Sequence, residues 1–411
     1  MLLKRSCSLF LIKMNINKPK PRLLIAGGAH SDIPLIKAAQ RLGFYVITSG
    51  NRANDLGHEY SDEVHLADFS DAEAMLSLAR QLKINAICAS CNDFSALTAS
   101  YVAERLGLPG HDSFKVANIL HHKDKYREFA HRVGIPSPLA FGCGDITSVR
   151  DALQKLRFPI IIKPVDLTGG KGITRVDNHA DALLAAENAF LISKAKRIVA
   201  EEFIEGSRHG FSAILINGRV RFSFTDDEQY HLSQYLVSAA SAPTSSRPES
   251  IKKLMEYSEV IARELKLVDG IFHIQYIEPN EGDPVIIEIC RRPPGDLYVD
   301  LVRHATGAPY AEWIVAACSG LSTDAIRQMP VTQPVTRHCL MASSSGKFFD
   351  FDFDAGIEKR IVEKLIWGKK GELVIDPNTH KFGIVFVLHD NIEQMLKVAP
   401  SLQKLLAVKV I

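Results

Sequence analysis

From Arg22 onward the chain alternates short apolar runs with amphipathic stretches of helical spacing. RLLIAGGAHSD reads as a buried strand running into a glycine turn. Asp32–Leu42 has the spacing of a helix, and FYVIT at 44–48 is a second strand. Val64–Leu66 gives a short third strand. Ser70–Leu82 is a helix with Glu73 as its capping-box partner, INAICAS at 84–90 is a fourth strand, and Phe94–Leu106 is another helix. Strands alternating with helices predict a parallel, doubly wound, Rossmann-like sheet over residues 21–117.

The texture changes after Pro109-Gly110. NILHHKDKYREFAHRVG, Asn118–Gly134, reads as one basic helix stopped by Gly134 and Pro136, and Thr147–Leu156 as another. From IVAEEFI at 198–204 the runs become antiparallel in character: FSAILING, RVRFSF, IFHIQYI and PVIIEI. Among them Pro248 opens a long helix with Ile251, Leu254, Met255, Ile261, Ala262 and Leu265 on one stripe. Beyond Gln333, VTRHCLM, GIVFVLH and a helix near Asn391–Leu405 outline a small α+β unit. The predicted divisions are a loose extension at 1–20, the Rossmann-like domain at 21–117, two lobes at 118–200 and 201–332, and the C-terminal unit at 333–411. The expected fold class is α/β and α+β, with a parallel sheet followed by antiparallel ones.

Composition narrows the function classes. The chain of 411 residues is too long for one core. It is 46% apolar and 23% charged, as globular chains are, and its net charge of +2 gives no pull toward nucleic acid or an anionic membrane. Seven cysteines in no framework spacing indicate reduced thiols and a cytoplasmic setting. Cys88 and Cys91 form a lone CxxC, read as small residues at a strand end. No apolar run approaches the roughly 20 residues that span a bilayer. Leu9–Ile12 is short for a signal-peptide core.

Candidate chemistry begins at PIIIKPVDLTGGKGITRV, 159–176. A lysine at a strand end beside a glycine-rich loop suits a polyphosphate: the loop offers backbone N–H groups and the ammonium neutralises charge. The sequence is not the Walker type. In VAEEFIEG, Glu201 and Glu202 point to opposite faces of a strand, and Phe203 and Ile204 extend an edge that can hydrogen-bond an adenine. In IFHIQYIEPNEGDPVIIEICRRPPGD, a turn at EPNEGDP sets Gln275 opposite Glu288. These give oxygen ligands for Mg²⁺, followed at once by Arg291 and Arg292, whose forks bind carboxylate or phosphoryl oxygen. Gly27-Gly28 raises a dinucleotide reading, but the third glycine of GxGxxG is missing.

In this order the pieces resemble the ATP-grasp superfamily over roughly residues 20–320. The resemblance implies ATP and Mg²⁺ (or Mn²⁺) as cofactors and a two-lobed core, 118–200 being the small lobe and 201–332 the large. Lys123, with Lys125 as the alternative, matches the first nucleotide-contacting lysine. Lys163 matches the lysine on the α/β-phosphates, and Gly169, Gly170, Lys171 and Gly172 the mobile phosphate loop. Glu201, Glu202, Phe203 and Ile204 match the adenine strand, and His209 falls where relatives contact ribose. Glu288 and Gln275 match the metal positions, and Arg292 the arginine that holds the acyl substrate. Two departures stand out: Gln275 where many relatives are acidic, and Cys290 where they often have asparagine. The implied activity is a carboxylate–amine ligase acting through an acyl phosphate. Its substrates would be small-molecule acids and amines, amino acids among them, with a homodimer allowed and no nucleic-acid or membrane partner. The rivals are an ATP-binding protein that has lost catalysis and, through Gly27-Gly28, an NAD-dependent oxidoreductase. His273 shares a face with Gln275 and reads as a packed histidine rather than a base.

Overall fold

The structure, a computed structural model, describes residues 19–167 and 170–411. Its first unit comprises β1 (Arg22–Ala26), α1 (Ile33–Arg41), β2 (Tyr45–Thr48), β3 (Glu63–Val64), α2 (Ala72–Leu82), β4 (Ala86–Ala89) and α3 (Asp93–Leu106). The strands form a parallel sheet in the order β3-β2-β1-β4. Leu23, Leu24 and Ile25 are wholly buried, as a strand covered on both faces requires. Asp71, not Ser70, caps α2 through the N–H groups of Glu73 and Ala74, and Glu73 instead accepts the Tyr101 hydroxyl.

The dinucleotide reading of Gly27-Gly28 meets a physical obstacle. A Cβ on Gly28 would lie 2.1 Å from the His58 ring, and one on Gly27 would lie 2.4 Å from Ser90 Cβ. The close approach that glycine allows is taken up by the protein's own side chains. Asp32 adds a carboxylate there, accepting the N–H groups of Ala29 and Cys91.

The single basic helix expected at 118–134 is two. α4 (Phe114–His121) and α5 (Lys123–Arg132) meet at His122, whose extended backbone (φ −107°, ψ 118°) breaks the run. His122 Nδ1 contacts the Asn118 carbonyl at 3.0 Å. The break makes Lys123 the first residue of α5. Next come β5 (Ala140–Cys143), α6 (Ile146–Leu153), β6 (Ile160–Pro164), β7 (Thr174–Val176), α7 (His179–Ile192) and β8 (Ile198–Glu202), with an antiparallel sheet ordered β5-β8-β6-β7. Packing on α6 and α7 buries Ile160, Ile162 and Ala200.

The remaining elements are β9 (Ser207–Ile216), β10 (Arg219–Gln229), β11 (Ala239–Ala242), α8 (Pro248–Leu265), β12 (Gly270–Glu278), β13 (Val285–Cys290), α9 (Tyr298–Thr306), α10 (Tyr310–Ser319), β14 (Val335–Leu340), β15 (Gly346–Phe353), α11 (Ala355–Glu358), β16 (Ile361–Ile366), β17 (Leu373–Val374), β18 (Gly383–Leu388), α12 (Ile392–Val398), α13 (Leu402–Leu405) and β19 (Leu406–Val410). Eight strands make one sheet, ordered β13-β12-β9-β10-β11-β14-β18-β16. Strands from beyond residue 333 therefore continue the large-lobe sheet through the β11–β14 pairing, while β15, β17 and β19 form a separate three-stranded sheet. Among the described residues no helix is long and apolar enough to cross a membrane.

Candidate active site

A cleft of about 270 Å³ is lined from the four-stranded and the eight-stranded antiparallel sheets. β6 carries Lys163 on the inner side, 6% exposed, and its ammonium donates to Glu201 on the neighbouring β8. The other Glu201 oxygen accepts Arg127 Nε at 3.1 Å, and Arg127 Nη2 reaches the Ile287 carbonyl at 2.7 Å. Burial pushes the Lys163 ammonium down to about 8 against the pull of Glu201. Burial alone would raise Glu201, but Arg127 and Lys163 outweigh it and hold the carboxyl below its usual range. Glu201 is thus engaged between two cations. Glu202, on the opposite face, accepts the Leu139 N–H at 3.1 Å. Glu202, Phe203 and Ile204 line the cleft.

α5 aims Lys123 into the same space. Its Nζ donates to Glu288 Oε1 at 3.0 Å and to the Leu167 carbonyl at 3.3 Å. Glu288 and Cross-strand Gln275 are paired in register, with a bulge just after Gln275. Arg292 forks onto Asp93 of the first unit at 2.8 and 3.1 Å. Burial would lower Arg292, and the Asp93 charge more than reverses that. Lys123, Lys163, Gln275, Glu288 and Arg292 therefore share one cleft.

Other expected positions fall differently. Gly169 lies outside the described residues. Gly170 lines the cleft at φ +74°, and a Cβ there would meet the Tyr235 carbonyl at 2.5 Å, so a side chain is excluded. Lys171 is exposed, and Gly172 packs against Pro164 and Ile192. His209 does not reach the cleft. Its ring stacks on Tyr276 and its nitrogens meet Asp227 Oδ1 at 2.9 Å and Ser207 Oγ at 2.7 Å. Strand alternation turns it to the sheet's other face, so the ribose contact that the resemblance implied for His209 is corrected. His273 is a packed histidine: Nδ1 meets Ser212 Oγ at 2.7 Å, and burial pushes it down to about 3.

The structure adds acids that the sequence reading passed over. β10 runs five residues past RVRFSF, through TDDEQ. Asp226 and Glu228 alternate onto the cleft face, while Asp227 turns to His209. Period-two alternation in TDDEQ was the signal that could have found them. Glu228 Oε1 accepts Gln275 Nε2 at 2.7 Å, and Oε2 accepts the Tyr230 hydroxyl at 2.5 Å. Burial raises Glu228 above its ordinary range. At the far end, Asp296 receives Lys381 Nζ at 2.6 Å, with Arg337 at 3.5 Å.

The donor set fits a hard divalent cation. Glu228 holds the amide nitrogen of Gln275 and leaves its oxygen for the cleft, beside the Glu288 carboxylate. Cys290 does not add to that set: burial raises its thiol well above the ordinary range, and its sulfur lies 3.4 Å from Asp93. Asp93, His121 and Cys290 do cluster, but Arg292 occupies the Asp93 carboxylate, which makes the group an ion-pair network.

Two sheets thus close on a cleft with Lys123 and Lys163 on one side and the Gln275–Glu288 amide–carboxylate pair opposite. Residues 121–231 match the domain described as phosphoribosylglycinamide synthetase, ATP-grasp (A) domain. The chain is 23% identical over 288 residues to the carbamoyl phosphate synthase large chain, C-terminal section, of Methanopyrus kandleri, covering 67% of this chain and 52% of that protein. It is 26% identical over 223 residues to the formate-dependent phosphoribosylglycinamide formyltransferase of Rhodococcus jostii, covering 54% of this chain and 50% of that protein. The matches thus span about half the length of these curated relatives. Among solved structures, the fold is shared with the L-amino acid ligase of Bacillus licheniformis (TM-score 0.79, 20% identity, 96% of this chain and 100% of that one). It is also shared with phosphoribosylglycinamide synthetase of Anaerococcus prevotii (TM-score 0.76, 18% identity, 96% and 100%).

Proposed function

We propose that the protein is an ATP-dependent ligase that phosphorylates a substrate carboxylate and joins the acyl group to an amine, releasing ADP and phosphate. The observation that carries this is the convergence of Lys123, Lys163, Gln275, Glu288 and Arg292 on one cleft. Phosphoryl transfer asks a protein mainly for positioning and charge neutralisation. Lys163 and Lys123 hold the triphosphate, and Glu202, Phe203 and Ile204 face the base. Glu288 and the Gln275 oxygen hold Mg²⁺ (or Mn²⁺), which when bound supplies charge neutralisation at the transferring phosphoryl group. Arg292, fixed by Asp93, presents its remaining donors to the substrate carboxylate and to the acyl phosphate. Gly170, packed against Tyr235, helps the glycine-rich loop shield the phosphates from water. The substrates are small acids and amines, with amino acids first among them because a structural neighbour is named as an L-amino acid ligase.

The test supplies ATP, Mg²⁺, hydroxylamine and the twenty common amino acids one by one, with formate and acetate added. Hydroxylamine traps an acyl phosphate as a hydroxamate. ADP release together with a hydroxamate from at least one acid is the expected result. ATP binding with no hydroxamate from any acid would favour the reading in which catalysis has been lost.

A further inference from the structure

We propose that Asp226 is the general base that frees the attacking amine, an assignment that rests on the ligase reading. Asp226, Gly210 and Gln275 lie in one row across three adjacent strands: Asp226 pairs with Gly210, and Gly210 pairs with Gln275. Neighbouring strands are about 4.8 Å apart, so Asp226 stands roughly 10 Å from Gln275 across the sheet floor. Gly210 has no side chain to fill that span. A Cβ there would come within 2.6 Å of Asp226 Oδ1. The Asp226 carboxylate therefore lies over Gly210 itself and leans toward the Gln275 strand, so an acyl phosphate anchored on the Gln275–Glu288 side has a carboxylate beside it. Asp226 is 1% exposed at the base of the cleft. Its Oδ1 accepts the Tyr298 hydroxyl, and its Oδ2 is a buried oxygen with no hydrogen-bond partner among the described residues. Such an oxygen is costly to bury and lacks a protein donor; an ammonium supplies one.

The groups that face this carboxylate support the role. Burial and the charge of Glu228 push it up to about 7, with Asp227 adding to the rise, while Tyr298 of α9 and Arg337 of β14 oppose it. A base in that range can both take and release a proton near neutrality. The other groups near the floor are poorer bases. His273 is tied to Ser212, and Glu228 holds Gln275 and Tyr230.

The step balances as follows. Asp226 takes one proton from the ammonium. The nitrogen lone pair forms the C–N bond at the acyl carbon. The C–O bond to phosphate breaks, and the adduct's surplus N–H proton leaves on the departing phosphate as HPO₄²⁻. The proton on Asp226 returns to solvent.

The test compares wild type and Asp226→Asn in two reactions with the same acid. Hydroxylamine is largely neutral at pH 7.5 and needs no base, whereas amino-acid amines are protonated. The expected result is a hydroxamate rate within about threefold of wild type, with amide formation reduced about 100-fold or more. Raising the pH should restore part of the amide rate as the amine deprotonates itself. Equal loss in both reactions, or in neither, overturns the assignment. No hydroxamate from wild type overturns the ligase reading and this assignment with it. Folding is checked by the thermal midpoint. Because burial raises the carboxyl above its unfolded value of 3.8, ionised Asp226 costs stability as pH rises through that window. Asp226→Asn should therefore melt no lower than wild type at pH 8, and a collapse there would show that the residue is structural.

Discussion

At the scale of single residues, two cations near Glu201 have different jobs, and the sequence shows only one of them. Lys163 stands out because it ends a strand beside glycines. Arg127 looks like any charge of a basic helix, yet it is 1% exposed and joins Glu201 to the Ile287 carbonyl. Removing one partner from a buried pair costs about 3–5 kcal/mol. Arg127→Met should lose stability on that scale in urea unfolding. Lys163→Met leaves Glu201 still paired with Arg127 and should lose clearly less. The Lys163 ammonium, held to about 8 by burial, should regain its ordinary proton affinity beside a triphosphate. Nucleotide binding near pH 8 should therefore take up protons, which calorimetry in buffers of different ionisation enthalpy measures directly. No uptake would contradict the pairing of Lys163 with phosphate.

At the scale of elements, the turn from EEFIEG into β9 depends on Gly206. Its φ is +157° and a Cβ would meet the Glu278 carbonyl oxygen at 2.3 Å. Gly206→Ala should destabilise by about 1–3 kcal/mol and weaken nucleotide binding, because the Phe203–Ile204 edge shifts with it. Unfolding and binding curves check both. The elements were legible where apolar period and punctuation agreed: β1, β2, β4 and α8 lie close to where the pattern puts them. The hairpin register was legible too, since EPNEGDP fixes the turn and thereby sets Gln275 opposite Glu288. The helix break at His122 was not, because nothing in HHKDKY is a breaker, although Tyr126, Phe129 and Ala130 beyond it pack into the core. The acids of β10 were missed because apolar character ends at Phe224 while the backbone ladder continues. A strand that lines a polar cleft cannot be recognised by hydrophobicity.

At the scale of the whole molecule, the first unit is tied to the large lobe by two buried ion pairs and a backbone hydrogen bond. Arg291 Nε meets Asp112 at 2.7 Å, Arg292 meets Asp93, and Asp296 N–H meets Ser31 Oγ at 2.8 Å. Asp112→Ala should leave Arg291 buried and unpaired, lower stability by about 3–5 kcal/mol and reduce activity through Arg292. Burial would raise Asp93 and Asp296, but the cations around them dominate and hold both below the usual carboxylate range. Carboxyls lowered in the folded state stabilise it above their unfolded pKa of about 3.9, and that contribution fades as pH falls further. These contacts should thus survive mild acid and fail only below about pH 4, as a tryptophan-fluorescence titration would show.

The central claim is that a triphosphate and its cation are held jointly by Lys123, Lys163, Glu288 and Gln275. Calorimetric titration of a non-hydrolysable ATP analogue, with and without Mg²⁺, tests it on the wild type, Lys163→Met and Glu288→Gln. The account requires Mg²⁺-dependent binding by the wild type and affinity about 10–100-fold weaker for Lys163→Met, the worth of one charge-assisted hydrogen bond. It also requires Glu288→Gln to lose most of the Mg²⁺ dependence. Equal affinity in all three proteins, or no dependence on Mg²⁺ in any, would contradict it.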